Sequence, residues 1–401
     1  MKSLDEAPFL NFLDPAFIAD PAPMIERLRG EACLARTPIG ILVIEHAKVL
    51  ALLGDPRLHS SLLDFVRVQG LTDGPIFEAV SNSLLAVDGL DHTRLRKLVS
   101  RAFTPRSVER LRPSMRALTQ DLAGAFATTG RCEFMAAFAD HYPIQLICEL
   151  LGVPRADHEQ FGRWSNAITW VLSLELIAHL QEVSDGFLGL ATYIEGFIEE
   201  RRARPQDDLV SALIQAEDGG DRLSGPELRS LIASLLFAGY DTTRNQLGIA
   251  LFLFTTFPDQ WRLLAERPEL APNAVEEILR FQGTVTVAPR VAFESLEIGE
   301  YHVPAGTIVS LSTAAANHDP AVHVRPEVFD ITIQREAPLT FGGGPHYCLG
   351  ANLARAEMQE ALALLARRMP DVRVDGETTW RPRTGIFGPK CLPLAFTANG
   401  R

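Results

Sequence analysis

Phe341-Gly342-Gly343-Gly344-Pro345-His346-Tyr347-Cys348-Leu349-Gly350 is the stretch around which the rest of the chain is read. Three consecutive glycines suit no regular element, because each loses much conformational freedom when it is ordered. They suit a backbone that must pass close to something flat or bulky. Pro345 stiffens the turn and has no N–H to satisfy. Cys348 stands just before Ala351-Asn352-Leu353-Ala354-Arg355-Ala356-Glu357-Met358, a run of strong helix formers. A sulfur at a helix N-terminus meets the positive end of the dipole and free backbone N–H groups. That setting is expected to favour thiolate over thiol. A lone cysteine is more often a buried structural thiol, so the neighbours must decide. A redox dithiol needs a second nearby cysteine and a zinc site needs ligands at short spacing. Neither is present.

The chain has 401 residues, 47 % of them hydrophobic, enough for a sizeable core. Its net charge of -12 argues against general nucleic-acid binding. Cys33, Cys132, Cys148, Cys348 and Cys391 are scattered and odd in number, which suits a reducing cytosol rather than a disulfide framework. Met1-Lys2-Ser3-Leu4-Asp5-Glu6 has neither the basic start nor the apolar core of a secretion signal. The apolar run 231–239 is interrupted by Asp241, Arg244 and Asn245, so no stretch approaches the roughly 20 residues of a membrane span.

In chain order, the pattern predicts a strand from Pro38 to Ile44, a helix over Glu45–Leu53 and an irregular loop over 57–87. Asp91 to Phe103 reads as a helix with His92 and Arg96 on one face. From His92 to Arg116 eight basic residues (Arg94, Arg96, Lys97, Arg101, Arg106, Arg110, Arg112 and Arg116) meet one acid, Glu109, a patch suited to an acidic partner. Residues 114–217 read as a series of helices, with Phe161 to Leu180 as a buried one. Ser224-Gly225-Pro226-Glu227 is a capping box. The helix it starts runs to Phe257, a rod of roughly 45–50 Å. In its middle, Gly239 costs about 1 kcal/mol against alanine. Thr242 can bond back to a carbonyl one turn earlier, and Asp241 is expensive there unless used or paired. Pro272 to Gln282 is another helix, with Glu277 and Arg280 at i and i+3 and Glu276 as a competitor for Arg280. The β-rich part lies mainly in 38–44, 285–310 and 372–397, with two strands around Pro304-Ala305-Gly306.

The pattern Phe-Gly-x-Gly-x-His-x-Cys-x-Gly, complete from Phe341 to Gly350, resembles the haem-binding loop of the cytochromes P450. Ala238-Gly239-x-Asp241-Thr242 resembles that family's oxygen-activation segment, Glu277-x-x-Arg280 its structural pair, and Asp91-His92-Thr93-Arg94-Leu95-Arg96 its propionate-gripping helix. The resemblance spans about residue 38 to the C-terminus and implies one P450 domain over 1–401, mostly α with a small β-rich region, with no stretch for a fused reductase.

It implies haem b (iron protoporphyrin IX) ligated by Cys348, whose thiolate pushes electron density toward the iron. His92, Arg96, Arg290 and His346 would hold the propionates, and Asp241 and Thr242 would supply protons for O–O cleavage. Phe237, Ala238, Val285, Ala288 and Ile386 would line the substrate pocket with Thr242, with Gly385-Ile386-Phe387-Gly388-Pro389 as a hairpin tip, and Phe161 to Leu180, on this reading, would be a mobile lid over the pocket instead of an ordinary buried helix. That lining favours an apolar, medium-sized substrate (steroid, terpenoid, fatty acid or macrolide-like). Many relatives carry an arginine where this chain has Val328, so Arg325 or Arg335 is expected to complete the network of Glu277 and Arg280. The resemblance further implies a cytoplasmic monomer without membrane or nucleic-acid contact. It would insert one atom of O2 into its substrate with electrons from a ferredoxin or flavodoxin and its reductase. A peroxide-driven peroxygenase and a non-catalytic haem sensor are the alternatives; neither needs Asp241 and Thr242.

Overall fold

The computed structural model describes residues 1–218, 223–383 and 385–398. Its centre is the helix Gly225–Thr256, 32 residues or about 48 Å long. Ser224 accepts from the Glu227 N–H while the Glu227 carboxylate accepts from the Ser224 N–H, so both halves of the capping box form. From Thr243 to Leu251 every residue is buried, the polar Thr243, Arg244, Asn245 and Gln246 included. Tyr142–Leu151, His158–Ile168 and Leu180–Ala203 pack around the rod. Gly239 lets Tyr142–Leu151 approach: a Cβ there would stand 2.9 Å from Ile147 Cγ1. The helix Ala351–Arg368 after the cysteine packs on Arg112–Gly124 and on the helix Ala271–Phe281.

The β structure gathers to one side. A five-stranded sheet has the order Leu34–Thr37, Gly40–Val43, Ile308–Leu311, Ala288–Ala292, Leu58–Ser60. Gly40–Val43 and Ile308–Leu311 run parallel and the other pairs antiparallel. Tyr301–Val303 and Ile308–Leu311 flank the Pro-Ala-Gly turn as expected but do not pair: the first pairs with Leu296–Ile298, the second with the large sheet. Arg131–Glu133, Pro393–Ala395 and Arg373–Val374 form a second sheet, and Thr379–Trp380 pairs with Pro389–Cys391 as the terminal hairpin. Among the described residues no helix is long and apolar enough to cross a membrane.

Two expectations are corrected. Residues 57–87 are not an irregular loop, since they hold the strand Leu58–Ser60 and the helices Leu62–Val68 and Gly74–Ser81. Gly70 and Gly74, both at positive φ, punctuate these elements instead of dissolving them. The segment Phe161 to Leu180 is not one helix. It breaks after Ile168 into short 3-10 turns, Thr169–Leu172 and Leu176–His179. The Thr169 side chain bonds back to the Ser165 carbonyl at 2.9 Å, which favours such a bend.

Behind the cysteine loop lies a buried ionic network. Arg280 meets Glu277 with two bonds of 2.7 and 2.9 Å, and both side chains are 1 % exposed. Arg335 Nε stands 3.0 Å from Glu277 and its Nη2 donates to the Val328 carbonyl, which Arg280 also reaches, each at 3.1 Å. Arg335 is therefore the network's third member. Arg325, at φ 51, offers only its carbonyl. Glu276 turns to Arg355 and does not compete. Glu277→Ala leaves Arg280 buried against three backbone carbonyls alone, and the expected loss is roughly 3–5 kcal/mol. Urea unfolding checks this; Arg325→Ala, measured alongside, is expected to stay within about 0.5 kcal/mol of wild type.

Candidate functional site

The cysteine loop is held by its own backbone. The Cys348 N–H donates to the Phe341 carbonyl at 2.9 Å and the Ala351 N–H to the Cys348 carbonyl at 3.3 Å. Gly342 and Gly344 take φ of 71° and 61°, and a Cβ on Gly344 would stand 2.4 Å from the Leu53 carbonyl oxygen. Glycine is thus required by conformation and by contact. Arg355 braces the loop from the following helix. Its guanidinium lies 4.5 Å over the Phe341 ring, bonds Tyr347 Oη at 3.1 Å and pairs with Glu276 at 2.6 Å.

Cys348 stays partly exposed. Burial of the surrounding loop pushes its thiol pKa up, against the pull of the Gly350 N–H, Arg96 and Arg355. The expected thiolate preference is therefore not met by the protein alone. The last turn before the helix leaves the sulfur in a desolvated site, and desolvation outweighs the dipole.

Next to the cysteine, positive groups gather around one carboxylate. His92, at the buried face of Gly89–Ser100, lies 4.2 Å from His346, ring centre to ring centre. Arg96 donates to the Tyr347 carbonyl. Arg290 is 7 % exposed, and among the described residues its side chain has one hydrogen bond, to the Pro289 carbonyl at 2.9 Å. His346 Nε2 meets Asp88 Oδ1 at 2.7 Å, and Asp88 Oδ2 takes the Ser60 N–H at 2.8 Å. Burial, then His346 and Arg96, lower the His92 pKa to about 4. Burial also lowers Arg96 and Arg290, with Asp88 offsetting part of it at Arg290. The cluster contains more buried positive charge than it neutralises.

In the long helix, Ala238 is exposed and Gly239 and Thr242 partly so, although Leu235 to Phe237, Tyr240 and Asp241 are buried. The core therefore has an opening there. Thr242 Oγ1 donates to the Ala238 carbonyl at 2.8 Å, the expected back-bond. Asp241 is 0 % exposed and paired with Arg381 at 2.7 Å. Val285 and Ile386 form an isolated bridge, so the hairpin tip does meet the strand region. Phe237 and Ile386 belong to the main core cluster, while Ala288 packs on the β-side cluster.

A family model described as Cytochrome P450 matches residues 80–370. The chain belongs to the cytochrome P450 family. It is 40 % identical to Luteothin monooxygenase of Streptomyces thioluteus, over 98 % of this chain and 97 % of the relative. It is 40 % identical to Mycinamicin IV hydroxylase/epoxidase of Micromonospora griseorubida, over 88 % of this chain and 89 % of the relative. Among solved structures, that of CalO2 superposes with a TM-score of 0.91 at 30 % identity, covering 98 % of this chain and all of that one. The fold is the P450 fold and the enzyme an oxidoreductase of the monooxygenase class.

The family implies a haem-iron cofactor, and the residues present fit one. A cysteine on a glycine loop, beside the half-buried Arg96 and the buried Arg290 with donors to spare, suits an iron carried on a flat group with carboxylates. Three residues that sequence reasoning missed are Arg381, Asp88 and Arg355. Arg381 and Asp88 carry no local signal, since their partners lie 140 and 258 residues away in the chain. Arg355 sits on the cysteine helix in view, but its stacking on Phe341 needs the loop's turn.

The basic patch is smaller than its sequence. Arg94 pairs with Glu227, while Arg112 and Arg116 both bind Glu360, at 2.8 and 2.6 Å. Arg96 belongs to the cluster above. Lys97, Arg101, Arg106 and Arg110 remain exposed, without an ion pair among the described residues.

Two outcomes follow, with unfolding measured on the haem-free protein. Arg290→Met removes a buried, half-compensated cation, so its urea midpoint is expected to hold or rise while haem retention in gel filtration falls. His92 and His323 both have pKa values lowered to about 4 from 6.5, first by burial. As pH falls below 6.5 the unfolded chain takes up protons that these folded imidazoles refuse. Stability is therefore expected to fall from pH 6.5 towards 4 and then to level. His92→Asn should remove part of that slope in urea titrations and His323→Leu a further part.

Proposed function

We propose that this protein inserts one oxygen atom from O2 into an apolar, medium-sized organic substrate, with haem b on Cys348 and electrons from a separate ferredoxin or flavodoxin. The observation that carries this reading is Cys348 on its glycine loop beside the guanidiniums of Arg96 and Arg290, with Asp88 as the one carboxylate of the cluster. When bound, the haem supplies O2 activation at an iron enriched in electron density by its thiolate. The protein's own part is as follows. Cys348 would hold the iron as thiolate, metal affinity offsetting the burial that favours the thiol. His92, Arg96, Arg290 and His346 would hold the propionates through charge-assisted hydrogen bonds, His346 being bonded to Asp88 in their absence. Thr242 holds a proton at Oγ1 beside the opening in the long helix, and Asp241 resupplies it. Phe237, Ala238, Val285, Ala288 and Ile386 line a pocket that excludes water.

Support for the substrate class comes from the names of the relatives, a Luteothin monooxygenase and a Mycinamicin IV hydroxylase/epoxidase. The similar structure of CYP267B1 contains myristic acid. An acidic electron donor fits Lys97, Arg101, Arg106 and Arg110, four exposed cations on an otherwise acidic chain. The chain is read as one domain, monomeric and cytoplasmic.

The reduced protein with carbon monoxide is expected to absorb near ~450 nm, and Cys348→Ser to lose that band. Retention of the band in the variant removes Cys348 as the ligand. Thr242→Ala keeps helix propensity, so it should bind haem and accept electrons while product falls and hydrogen peroxide rises per NAD(P)H consumed. A variant that stays fully coupled removes the relay and favours the peroxygenase or sensor reading. Charge reversal at Arg101 or Arg110 is expected to slow reduction and flatten its salt dependence, with substrate binding unchanged; stopped-flow reduction across ionic strengths measures this.

A further inference from the structure

Asp241 and Thr242 are neighbours in the chain but not partners in space. Asp241 Oδ1 accepts from Asn245 Nδ2 at 3.1 Å. Its Oδ2 accepts from Thr169 Oγ1 at 3.0 Å and from Arg381 Nη1 at 2.7 Å. Thr242 meanwhile gives its hydroxyl proton to the Ala238 carbonyl. Consecutive helix residues do not face each other. The carboxylate therefore turns to the hairpin and to the turn after Ile168, away from the opening at Ala238 and Thr242. On its own helix, Tyr240 is bonded from Asn166 and Arg244 is spoken for by Asp140. Arg381 is thus the cation that meets Asp241 from outside that helix.

Arg381 belongs to the hairpin that carries the pocket tip. Its N–H donates to the Gly388 carbonyl at 2.9 Å and its Nη2 to Asn166 Oδ1 at 3.2 Å. Gly388 is packed so tightly on Asn245 that a Cβ would lie 2.4 Å from Oδ1. At the tip, a Cβ on Gly385 would lie 2.7 Å from the Leu172 carbonyl oxygen, and Ile386 bridges Val285. One short hairpin therefore touches a proposed pocket wall, the broken segment after Ile168 and the buried carboxylate. Packed elements of this kind shift between discrete arrangements instead of deforming smoothly.

We propose that Arg381 is a positioning residue: it latches Asp241 to the terminal hairpin and away from Thr242, and a ligand that fills the pocket against Ile386 opens the latch. The inference rests on the reading of Asp241 and Thr242 as the proton relay. It makes proton supply conditional on an occupied pocket, which would spare the enzyme from consuming reductant when no substrate is seated.

The test uses the haem-loaded full chain with two probes, imidazole and 1-dodecylimidazole. Both place a nitrogen on the iron, and only the second carries a chain into the apolar pocket; binding is read in the Soret band. The readouts are infrared difference spectra, with the Asp241 carboxylate band assigned by its loss in Asp241→Asn, and hydrogen exchange of residues 379–391. Expected in wild type is a shift of that band and at least a severalfold faster exchange with 1-dodecylimidazole, and neither with imidazole. Arg381→Gln should show both changes without any probe, and Arg381→Lys should restore the wild-type pattern. A long-chain probe that binds but leaves band and exchange as imidazole leaves them overturns the latch. So does an Arg381→Gln protein with the wild-type band. If Arg381→Gln does not fold, the wild-type arm decides alone. A long-chain probe that binds no more tightly than imidazole sinks the apolar pocket and the latch with it, whereas a fully coupled Thr242→Ala enzyme sinks the relay while the infrared result stands.

Discussion

Glu277 is a carboxylate held at 1 % exposure between two guanidiniums, and the architecture around the cysteine depends on it. Isolated, such a charge would be intolerable in the core. Paired with Arg280 and Arg335 it fixes the helix Ala271–Phe281 to the loop that carries Pro326, Val328 and Asp330, whose backbone groups it or its partners bind. That loop leads into the glycine turn. Glu276, one residue earlier, fixes Arg355 and through it Phe341. Adjacent acids on one helix thus anchor the cysteine loop from two directions. Buried pairs of this kind seldom add much stability over apolar packing, but they are costly to break. They therefore define one geometry for the loop.

The same electrostatic rule appears in two other forms. At Asp241 the charge is compensated, by an arginine drawn from 140 residues away. At Arg96 and Arg290 it is left over: burial disfavours both cations, Asp88 is the one carboxylate beside them, and burial holds His92 neutral. An uncompensated buried cluster is unfavourable for folding and favourable for an anion of matching shape.

The long helix and the cysteine loop were legible from the sequence because their signals are local. A capping box, a proline at the first turn and a proline after Phe257 bound the rod. The three glycines and Pro345 specify the turn before any partner is known. Even here the reading overreached once. The helix N-terminus was expected to make Cys348 a thiolate, but dipoles act locally while desolvation depends on everything packed around the sulfur. Residues 57–87 were misjudged for the opposite reason. Their helices are short, set off by glycines, and stabilised by packing, as at Val66, Ile76 and Val80, rather than by propensity.

The sequence by itself determined the membership of the chain in its family, the glycine turn that carries Cys348 and the position of the two polar residues in its longest helix. Each of these resides in a few consecutive positions. The tertiary structure alone decided which partner each buried charge takes: Arg335 rather than Arg325 for Glu277, Arg355 for Glu276, Asp88 for His346 and Arg381 for Asp241. Pairing depends on distance and burial. Once a chain folds back over hundreds of residues, proximity in space is no longer encoded in proximity along it.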